Sequence, residues 1–386
     1  MRLLRNAVVH RWPAPPVRAD VLIDTHIRWI SPSISPEVGW DLIDLEGHHL
    51  APGFIDVQMN GGFGHDLTSD PWTIPVLAGH LPAHGVTAFL PTIITSPADS
   101  VVAALDVVRG LRRPAAGGAS VLGLHMEGPF LSPERVGAHE SAYLRLPDPS
   151  LTRGWSRGSG VRLVTLAPEL PGSLAVVREL VARGVAVSAG HSMASYSQLG
   201  DAVDAGVRAA THLFNAMGPF HHREPGLIGR AFTDDRLAAS IIVDGHHVHT
   251  AAVRTAWTML GAGRLMLITD AIAGLGMGDG LFELAGVPVQ VSGGAARTAD
   301  GVLAGSVLSM DEAVRNLIEI TGCSPSEAFA SASTTPARVL GETDRGMISE
   351  GMRADLTVLD ETLSVVTTFV DGAIAFVSPP TEPRRR

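Results

Sequence analysis

The stretch Ala119–Phe130, ASVLGLHMEGPF, is an apolar run that ends in a carboxylate, a glycine and a proline. Its first half has the apolar and β-branched residues of a buried strand. The run then ends at His125, Glu127 and a turn over Gly128–Pro129 instead of in ordinary loop residues. This pattern raises the hypothesis that Glu127 is placed there for its chemistry.

Seven further apolar runs lie along the chain, and plausible helices separate most of the eight. In chain order the eight runs are GFIDVQMNG, VTAFLPTII, SVLGLHMEG, RLVTLAPE, VAVSAGHS, AATHLFNAM, AASIIVDGHH and LMLITDA. Helices are predicted for Asp99–Arg112, Gly172–Arg183, Ser195–Ala205 and Thr250–Leu260. Eight β–α repeats predict an α/β fold, a closed (β/α)8 barrel with its chemistry at the carboxyl ends of the strands. A doubly wound open sheet is the competing fold, although no GxGxxG follows the first run.

The two ends of the chain differ from the middle in their residue pattern. Residues 1–52 and 345–386 contain short β-branched segments broken by Pro, Ser and Gly, such as ADLTVLD and LSVVTTFV. We expect both ends to form one small β-sandwich domain, with residues 53–344 forming the barrel. The segment Phe282–Gly305 is predicted to be a β-hairpin inserted after the eighth strand.

Composition argues against several classes of function. The 386 residues are 45% hydrophobic and 18% charged, which allows a sizeable buried core. The net charge of −10 argues against a nucleic-acid partner, and the terminal PRRR at 383–386 is expected to be solvated. All 29 basic residues are Arg, which excludes lysine chemistry. A lone cysteine, Cys323, and no apolar run of signal-peptide or membrane-span length favour a cytoplasmic protein without a membrane partner.

The polar residues that end the eight runs would share one rim of the barrel. These residues are Gln58, Asn60, Glu127, His191, His212, His247 and Asp270. One carboxylate and two imidazoles, with a fourth position open for water, form the ligand set of a one-metal hydrolase. A divalent ion lowers the pKa of its bound water to about 7. Asp270, after the last strand, would accept the proton and return it to the leaving amine.

Each of these residues also has an ordinary structural explanation when it is taken alone. Glu127 would be a strand-terminal residue in a solvated salt bridge, and Gly190–Ser192 would be a helix N-cap. His212 would be a hydrogen-bonded core residue, and Asp270 would cap a turn. The functional interpretation is favoured because they fall on different predicted strands at one end of the barrel.

Nine ordered motifs carry a resemblance to a known family: PGFIDVQMNG, HMEGPFLSP, GAH, GHS, HLFNAM, REPGLIG, DGHHV, LITDAIAG and AGSVLSM. From about Pro52 onward the chain resembles the N-acetylglucosamine-6-phosphate deacetylase family of the amidohydrolase superfamily. The resemblance implies an amidohydrolase-type barrel with a small β-sandwich domain. It also implies hydrolysis of the N-acetyl group of N-acetyl-D-glucosamine 6-phosphate to D-glucosamine 6-phosphate and acetate, in amino-sugar catabolism or cell-wall recycling.

The resemblance further implies roles for individual residues. Glu127, His191 and His212 would hold a metal, and Asp270 would act as general base and then as general acid. His139, in the GAH motif, would help to polarise the amide carbonyl and stabilise the developing oxyanion. Substrate binding is expected for Gln58, His139, Asn215, Ala216, Arg223 and His247. Since a phosphate-binding residue of this family can come from the neighbouring subunit, a homodimer is implied, although Arg223 taken alone would be a solvated loop residue.

Two departures from related patterns bear on the metal and the substrate loop. Two-metal amidohydrolases end the first strand with His-x-His, whereas this chain has Gln58 and Asn60, and amides are poor ligands for zinc. We therefore expect one divalent ion per subunit, with Zn²⁺ favoured and Fe²⁺, Mn²⁺ or Co²⁺ as alternatives. His65 could be a substitute ligand, although a loop histidine is the simpler interpretation. Family members often carry Lys before GAH, whereas this chain has Arg135 and Val136, which leaves the details of this loop open.

Two other functions are compatible with parts of this pattern. The same metal site could act on N-acetylgalactosamine 6-phosphate or on an N-acyl amino acid, and the sequence does not separate these substrates. A catalytically inactive scaffold is expected to lack at least one of Glu127, His191, His212 and Asp270, and all four are present.

Overall fold

The computed structural model describes residues 1–111 and 117–379, so the predicted helix end at Arg112 and the PRRR tail lie outside the described residues. The strands, in chain order, are β1 (Arg2–Val9), β2 (Val17–Ile23), β3 (Ile27–Ser31), β4 (Asp41–Asp44), β5 (His49–Pro52), β6 (Phe54–Met59), β7 (Gly61–Gly62), β8 (His65–Asp66), β9 (Val86–Ile94), β10 (Ser120–Val121), β11 (Leu124–Glu127), β12 (Val161–Leu166), β13 (Ala186–Ala189), β14 (Ala209–Ala210), β15 (Ala238–Ile241), β16 (Leu265–Leu267), β17 (Gly280–Leu284), β18 (Val287–Ser292), β19 (Ala295–Arg297), β20 (Leu356–Leu359), β21 (Val365–Val370) and β22 (Ala373–Val377).

The α-helices lie mainly between these strands. They are α1 (Ile74–His80), α2 (Ala98–Gly110), α3 (Ser173–Ala182), α4 (Tyr196–Ala205), α5 (Gly226–Thr233), α6 (Thr250–Arg264), α7 (Met310–Thr321), α8 (Pro325–Ala332) and α9 (Thr334–Leu340). The four predicted helices correspond to α2, α3, α4 and α6. Helix α4 begins where its sequence indicates, because the Ser195 hydroxyl accepts from Gln198 N while the Gln198 side chain accepts from Ser195 N. None of the helices in the described ranges is long and apolar enough to cross a membrane.

A parallel barrel forms the centre of the molecule, and each of the eight apolar runs supplies one of its strands. Strand β9 lies between β6 and β11, and β11 to β16 then pair in sequence order, all in parallel. The first and last runs meet where Asp270 N donates to Gln58 O at 2.9 Å and Asn60 N donates to Ala271 O at 2.8 Å. The prediction of a (β/α)8 barrel is confirmed.

The barrel strands are apolar along their whole length because both of their faces are covered. Every residue of β6 and β9 is buried, including Phe54 and Phe89, which are fully shielded from solvent. Inward side chains fill the barrel, and outward side chains pack under the helices. Burying each such large side chain contributes about 1.5–3 kcal/mol. A polar residue at a strand end is therefore conspicuous against this background.

One buried carboxylate joins the first and last barrel strands. Asp56, within β6, has no solvent exposure, and its Oδ2 accepts a hydrogen bond from Thr269 Oγ1 at 2.5 Å. Its Oδ1 accepts from Gln58 N at 3.2 Å. Burial raises the pKa of Asp56 to about 7, against the lowering effect of its hydrogen bonds, and the nearby charge of Asp270 also raises it.

Both chain ends build a second sheet, as expected for a small terminal domain. Its strands follow the order β22-β21-β20-β5-β1-β2-β3, with β4 beside β1. Its own core includes Leu4, Val21, Leu50, Leu356 and Phe369. The terminal β structure is confirmed, with all eight strands hydrogen-bonded into one sheet. The precise boundaries at residues 52 and 345 stay a prediction.

The insertion after the eighth barrel strand differs from the expected hairpin. It is a three-stranded antiparallel sheet of β17, β18 and β19, covering Gly280–Arg297. The extra strand forms because Gly293 and Gly294, with φ of 57° and 81°, reverse the chain so that Ala295–Arg297 pairs with β18. This sheet packs its apolar face, including Val289 and Val291, against Ile272 and Ile94.

We expect the substitution Asp56→Asn to reduce the pH dependence of stability. The folded-state pKa of Asp56, about 7, lies above the ordinary 3.8, so ionisation in the unfolded chain makes wild-type stability fall as pH rises between these values. From pH 5 to pH 8 the wild type should lose about 3 kcal/mol that the Asn variant retains. Thermal or denaturant unfolding at both pH values measures this difference. The exposed Asp106→Asn variant is the charge-matched control, and parallel pH profiles for wild type and Asp56→Asn would contradict the prediction.

Candidate metal centre and active site

A cavity of about 460 Å³ lies at the carboxyl ends of the barrel strands. Eight of the residues predicted to act in catalysis, metal binding or substrate binding line it: Glu127, His139, His191, His212, Asn215, Ala216, His247 and Asp270. Leu284, Val302 and Leu303 of the inserted segment form part of its wall. This volume is within the range of small-molecule sites.

Three side chains converge on one point at the bottom of this cavity. Glu127 is the last residue of β11, His191 follows β13, and His212 follows β14. Glu127 Oε1 lies 3.2 Å from His191 Nε2 and 3.1 Å from His212 Nε2. The two imidazole Nε2 atoms are 3.0 Å apart. Three strands that are separate in sequence thus bring three potential ligand atoms together.

The proton arrangement at these atoms fits a cation. His191 Nδ1 lies 2.8 Å from the carbonyl oxygen of Arg135, and a carbonyl can only accept, so Nδ1 carries the proton of the neutral ring. His191 Nε2 then presents a lone pair towards His212 Nε2 and the Glu127 carboxylate. A proton on His212 could satisfy one of these contacts, but electron-rich atoms on all three residues are best satisfied by a shared positive ion. A carboxylate with two imidazoles suits zinc and several other divalent metals.

His139 also approaches this cluster. A donor atom of His139 lies within 4.8 Å of donor atoms of both Glu127 and His191, and the distance from His139 Nε2 to Glu127 Oε2 is 3.9 Å. The contacts to His212 are shorter than this. We therefore assign His212 rather than His139 to the central triplet, with His139 beside it.

The backbone around the triplet is strained. His191, His212 and Asp270 have φ values of 48°, 36° and 50°, in the left-handed region that residues with a side chain seldom adopt. Such conformations cost on the order of 1–3 kcal/mol each and concentrate at functional sites. The left-handed turn directly after each barrel strand brings these side chains to the cavity.

Gln58 and Thr95 donate hydrogen bonds to Glu127, and the turn that follows Glu127 also holds it in place. Gln58 Nε2 donates to Glu127 Oε1 at 3.0 Å, and Thr95 Oγ1 donates to the Glu127 carbonyl at 3.3 Å. Burial opposes ionisation of Glu127, but the proximity of the His191 and His212 imidazoles holds its pKa well below the usual range. Gly128 must be glycine, because its φ is +94° and an added Cβ would lie 2.2 Å from Thr95 Oγ1. The Gly-Pro turn after Glu127 thus keeps the carboxylate at the strand end.

His139 presents a neutral imidazole to the cavity. The Thr95 backbone N–H donates to His139 Nδ1 at 3.3 Å, which leaves the ring proton on Nε2. Burial, with a contribution from His191, lowers the pKa of His139 to about 3. The side chain can therefore donate one hydrogen bond from Nε2 without carrying charge.

Asp270 faces the triplet from the last barrel strand. Asn60 Nδ2 donates to Asp270 Oδ1 at 2.7 Å, which orients the carboxylate. Burial raises the pKa of Asp270 to about 6, and the negative charge of Glu127 adds to this rise. A carboxyl group with a pKa near neutrality is suited to accept and return a proton.

His247 and the Asn215–Ala216 segment also line the cavity. His247 Nδ1 lies 2.7 Å from Asp244 Oδ2, so its proton points to that carboxylate and Nε2 is left for a ligand. Burial alone would raise the pKa of Asp244, but the hydrogen bond and charge of His247 lower it to about 2. The ionised Asp244 thus fixes the orientation of the His247 ring.

Three other residues named as candidates in the sequence analysis do not line the cavity. Gln58 is buried beneath Glu127 and does not line the cavity. Arg223 lies in an exposed loop, where its Nη1 contacts His222 Nε2 at 2.8 Å. His65 lies in the two-residue strand β8, where it pairs with Gly62, and it does not line the cavity.

Sequence reasoning missed the residues that orient the predicted ones. Asn60 was placed on the rim without a role, and Asp244, Thr95 and the Arg135 carbonyl were not considered. Asp244 could have been found, since an acid three residues before His247 in a turn can reach its ring. The other contacts join residues far apart in the chain and leave no local signal.

A carboxylate, two imidazoles and an aspartate at the carboxyl end of a parallel barrel define a class of metal-dependent hydrolase. The chain belongs to the amidohydrolase family, which it matches over residues 49–375. It is 44% identical over 352 residues to the human N-acetylglucosamine-6-phosphate deacetylase, covering 86% of this chain and 85% of the human protein.

Two further relatives bear on the substrate. The chain is 40% identical over 331 residues to N-acetylgalactosamine-6-phosphate deacetylase of Escherichia coli O157:H7, covering 84% of this chain and 87% of that protein. A solved structure of a mutant N-acetyl-D-glucosamine-6-phosphate deacetylase from Mycobacterium smegmatis, in complex with N-acetyl-D-glucosamine-6-phosphate, has a TM-score of 0.88 and 33% identity. It covers 97% of this chain and 99% of that chain. The resemblance inferred from the nine motifs is confirmed.

We expect His191→Ala to lose most of the bound metal, because one of three protein donors is removed, and His65→Ala to retain it. Elemental analysis of the purified proteins measures the ion content, with one ion per chain expected for the wild type. Added Zn²⁺ should raise the melting temperature of the metal-depleted wild type more than that of His191→Ala, since binding stabilises the folded state. Unchanged metal content in His191→Ala, or two ions per wild-type chain, would contradict the assignment.

Proposed function

We propose that this protein hydrolyses the acetamide of N-acetyl-D-glucosamine 6-phosphate to D-glucosamine 6-phosphate and acetate. The observation that carries the proposal is the convergence of Glu127, His191 and His212 within 3.0–3.2 Å, with Asp270 lining the same cavity. The human and M. smegmatis relatives, named as deacetylases of this substrate, support the choice of substrate.

Glu127, His191 and His212 would hold one divalent ion, with zinc favoured by the ligand set. Such an ion polarises a carbonyl oxygen and lowers the pKa of water to about 7. The protein keeps the three donors in place through Gln58 on the carboxylate and the Arg135 carbonyl on His191. These contacts fix the orientation of the ligands before an ion binds.

Asp270 would carry the proton through the reaction. Its carboxylate accepts a proton from the attacking water as the new C–O bond forms at the amide carbon. The resulting carboxylic acid then donates this proton to the amide nitrogen as the C–N bond breaks and the amine leaves. Asn60 holds one carboxylate oxygen of Asp270, which leaves the other for the proton.

His139 would bind the carbonyl oxygen of the acetamide. Its Nε2–H is directed away from Thr95, which occupies Nδ1. As the carbonyl oxygen gains negative charge, this hydrogen bond becomes stronger, so it stabilises the transition state more than the substrate. A neutral donor also avoids placing a second positive charge beside the metal ligands.

The phosphate would bind on the side of the cavity with His247 and the Asn215–Ala216 segment. His247 has Nε2 available, and Asp244 holds the ring in place through Nδ1. Arg223 would supply a guanidinium, whose planar donors match phosphate oxygens. Gln58 would act through Glu127 rather than on the substrate directly, because it lies beneath the carboxylate.

The galacto epimer is a second candidate substrate, because the E. coli relative at 40% identity is named for it. The two sugars share the acetamide and the phosphate, so the metal site and the phosphate side would serve both. Rates of acetate release from both 6-phosphates would rank them. A cytoplasmic location, and a role in amino-sugar catabolism or cell-wall recycling, stay predictions.

We expect Asp270→Asn to lower kcat by about a hundredfold to ten-thousandfold, because an amide cannot accept the proton from water. Bound metal should be retained, since Asp270 is not one of the three converging donors. Acetate release and elemental analysis check the two outcomes, and exposed Asp235→Asn is the matched control. Near-normal kcat in Asp270→Asn would refute the proposed role.

We further propose that the protein is a homodimer in which Arg223 reaches the cavity of the partner. Arg223 is exposed and does not line the cavity of its own chain. The same loop carries Phe220, which is 56% exposed, beside an apolar groove of about 420 Å³ that also includes Phe232 and Met259. A second copy of the chain would bury these apolar side chains and bring Arg223 close to its phosphate side.

Arg223→Ala is expected to raise KM for the 6-phosphate at least tenfold with little change in kcat, because a charged contact to phosphate is lost. Mixing Arg223→Ala with Asp270→Asn should restore activity, since each mixed dimer holds one site with an intact Asp270 and a partner Arg223. Kinetics after subunit exchange measure the recovery. An unchanged KM would contradict the phosphate role, and absence of recovery in exchanging dimers would place Arg223 in its own subunit.

A further inference from the structure

Arg135 lies on the loop that covers the cavity between Ser132 and His139, and no role follows for its side chain from the reaction above. The residue is half-buried and lines the cavity. Among the described residues, Arg135 is the only arginine that lines the cavity, and it takes part in none of their ion pairs. Its Nε–H donates to Met193 Sδ at 2.9 Å, and a thioether is a weak acceptor.

The contact with Met193 places the Arg135 guanidinium beside the proposed phosphate side of the cavity. Ser192 N donates to Ala216 O at 3.0 Å, and Gly218 N donates to Ser192 O at 3.0 Å. These bonds bind the segment before Met193 to the segment after Asn215. The arginine and the Asn215–Ala216 segment therefore approach the cavity from the same corner.

The acidic residues that line the cavity explain why a bound phosphate would need an arginine there. Glu127, Glu134 and Asp270 line the cavity and are acidic. A phosphomonoester carries close to two negative charges at neutral pH and needs fixed positive partners in such surroundings. Within one chain, Arg135 is the arginine that the described lining offers, because Arg223 lies in the exposed loop.

We propose that Arg135 is a specificity-determining residue that binds the 6-phosphate from the same chain as the metal ligands. This inference rests on the proposed function and extends it with a phosphate contact that neither Arg223 nor His247 supplies. The guanidinium exchanges its weak contact with the Met193 sulfur for charge-assisted hydrogen bonds to phosphate oxygens.

The backbone of Arg135 gives this contact a second consequence. The Arg135 carbonyl accepts from His191 Nδ1 at 2.8 Å, and Arg135 N donates to Ser132 O at 2.9 Å. A phosphate held by the Arg135 side chain therefore steadies the same residue whose carbonyl orients His191. Binding of the phosphorylated substrate and alignment of a metal-binding histidine are coupled through one residue.

Three variants and two substrates test the proposal. Arg135→Met keeps an unbranched side chain but removes the charge. Arg135→Lys keeps the charge but lacks the planar guanidinium. Arg178→Met, at an exposed position on α3, removes the same charge outside the cavity and is the control. We expect Arg135→Met to raise KM for N-acetylglucosamine 6-phosphate about tenfold or more. The rate with unphosphorylated N-acetylglucosamine should fall much less than the rate with the 6-phosphate, Arg135→Lys should recover part of the loss, and Arg178→Met should behave as the wild type.

Competition by the product provides a readout that does not depend on turnover of the variant. Inhibition by glucosamine 6-phosphate should weaken in Arg135→Met by a factor similar to the rise in KM, while metal content and melting temperature stay those of the wild type. Equal loss on both substrates, or a lowered metal content, would show a structural role and overturn the proposal. An unchanged preference for the 6-phosphate in Arg135→Met would also overturn it. If the wild type itself hydrolyses neither substrate, the proposed function fails, and the binding of glucosamine 6-phosphate measured by calorimetry still decides whether Arg135 contacts phosphate.

Discussion

The contact of the Glu127 carboxylate with two imidazole nitrogens at 3.0–3.2 Å is the constraint on which the site depends. Without a shared cation these electron-rich atoms would not favour such proximity in a buried place. The rest of the structure acts to maintain it. Left-handed backbone at His191 and His212 aims the rings, and Gln58 holds the carboxylate.

The stability of the barrel offsets the free-energy cost of this arrangement. Each strand is buried on both faces, and the large apolar area removed from water offsets the cost of strain and buried charge at the carboxyl ends. The second sheet, formed by the chain termini, has a separate core, and none of the described residues that line the cavity belongs to it. The inserted sheet is different, because Leu284 and the nearby Leu303 close one side of the cavity.

The cavity is divided by chemistry into two sides. The metal ligands, Asp270 and His139 face the acetamide in our proposal, and His247 and Arg135 face the phosphate. A reactive group and a binding handle at opposite ends of one substrate let the affinity for the phosphate position the amide for attack. In this proposal Arg135 serves both sides, since its side chain binds the phosphate and its carbonyl orients His191.

The sequence by itself determined the barrel strands and the polar side chains that meet at their carboxyl ends, because hydrophobic period and polar strand ends are local features. GLHMEGPF, for example, contains both the buried strand and the carboxylate that ends it. The three-stranded form of the insertion was missed, because a Gly-Gly reversal does not show which strand the next residues join. Only the tertiary structure decided which residues orient Asp270 and His191, and that Arg223 lies outside its own cavity while Arg135 lines it. Those contacts join positions far apart in the chain, and their distances depend on how the barrel closes and how the loops pack over its end.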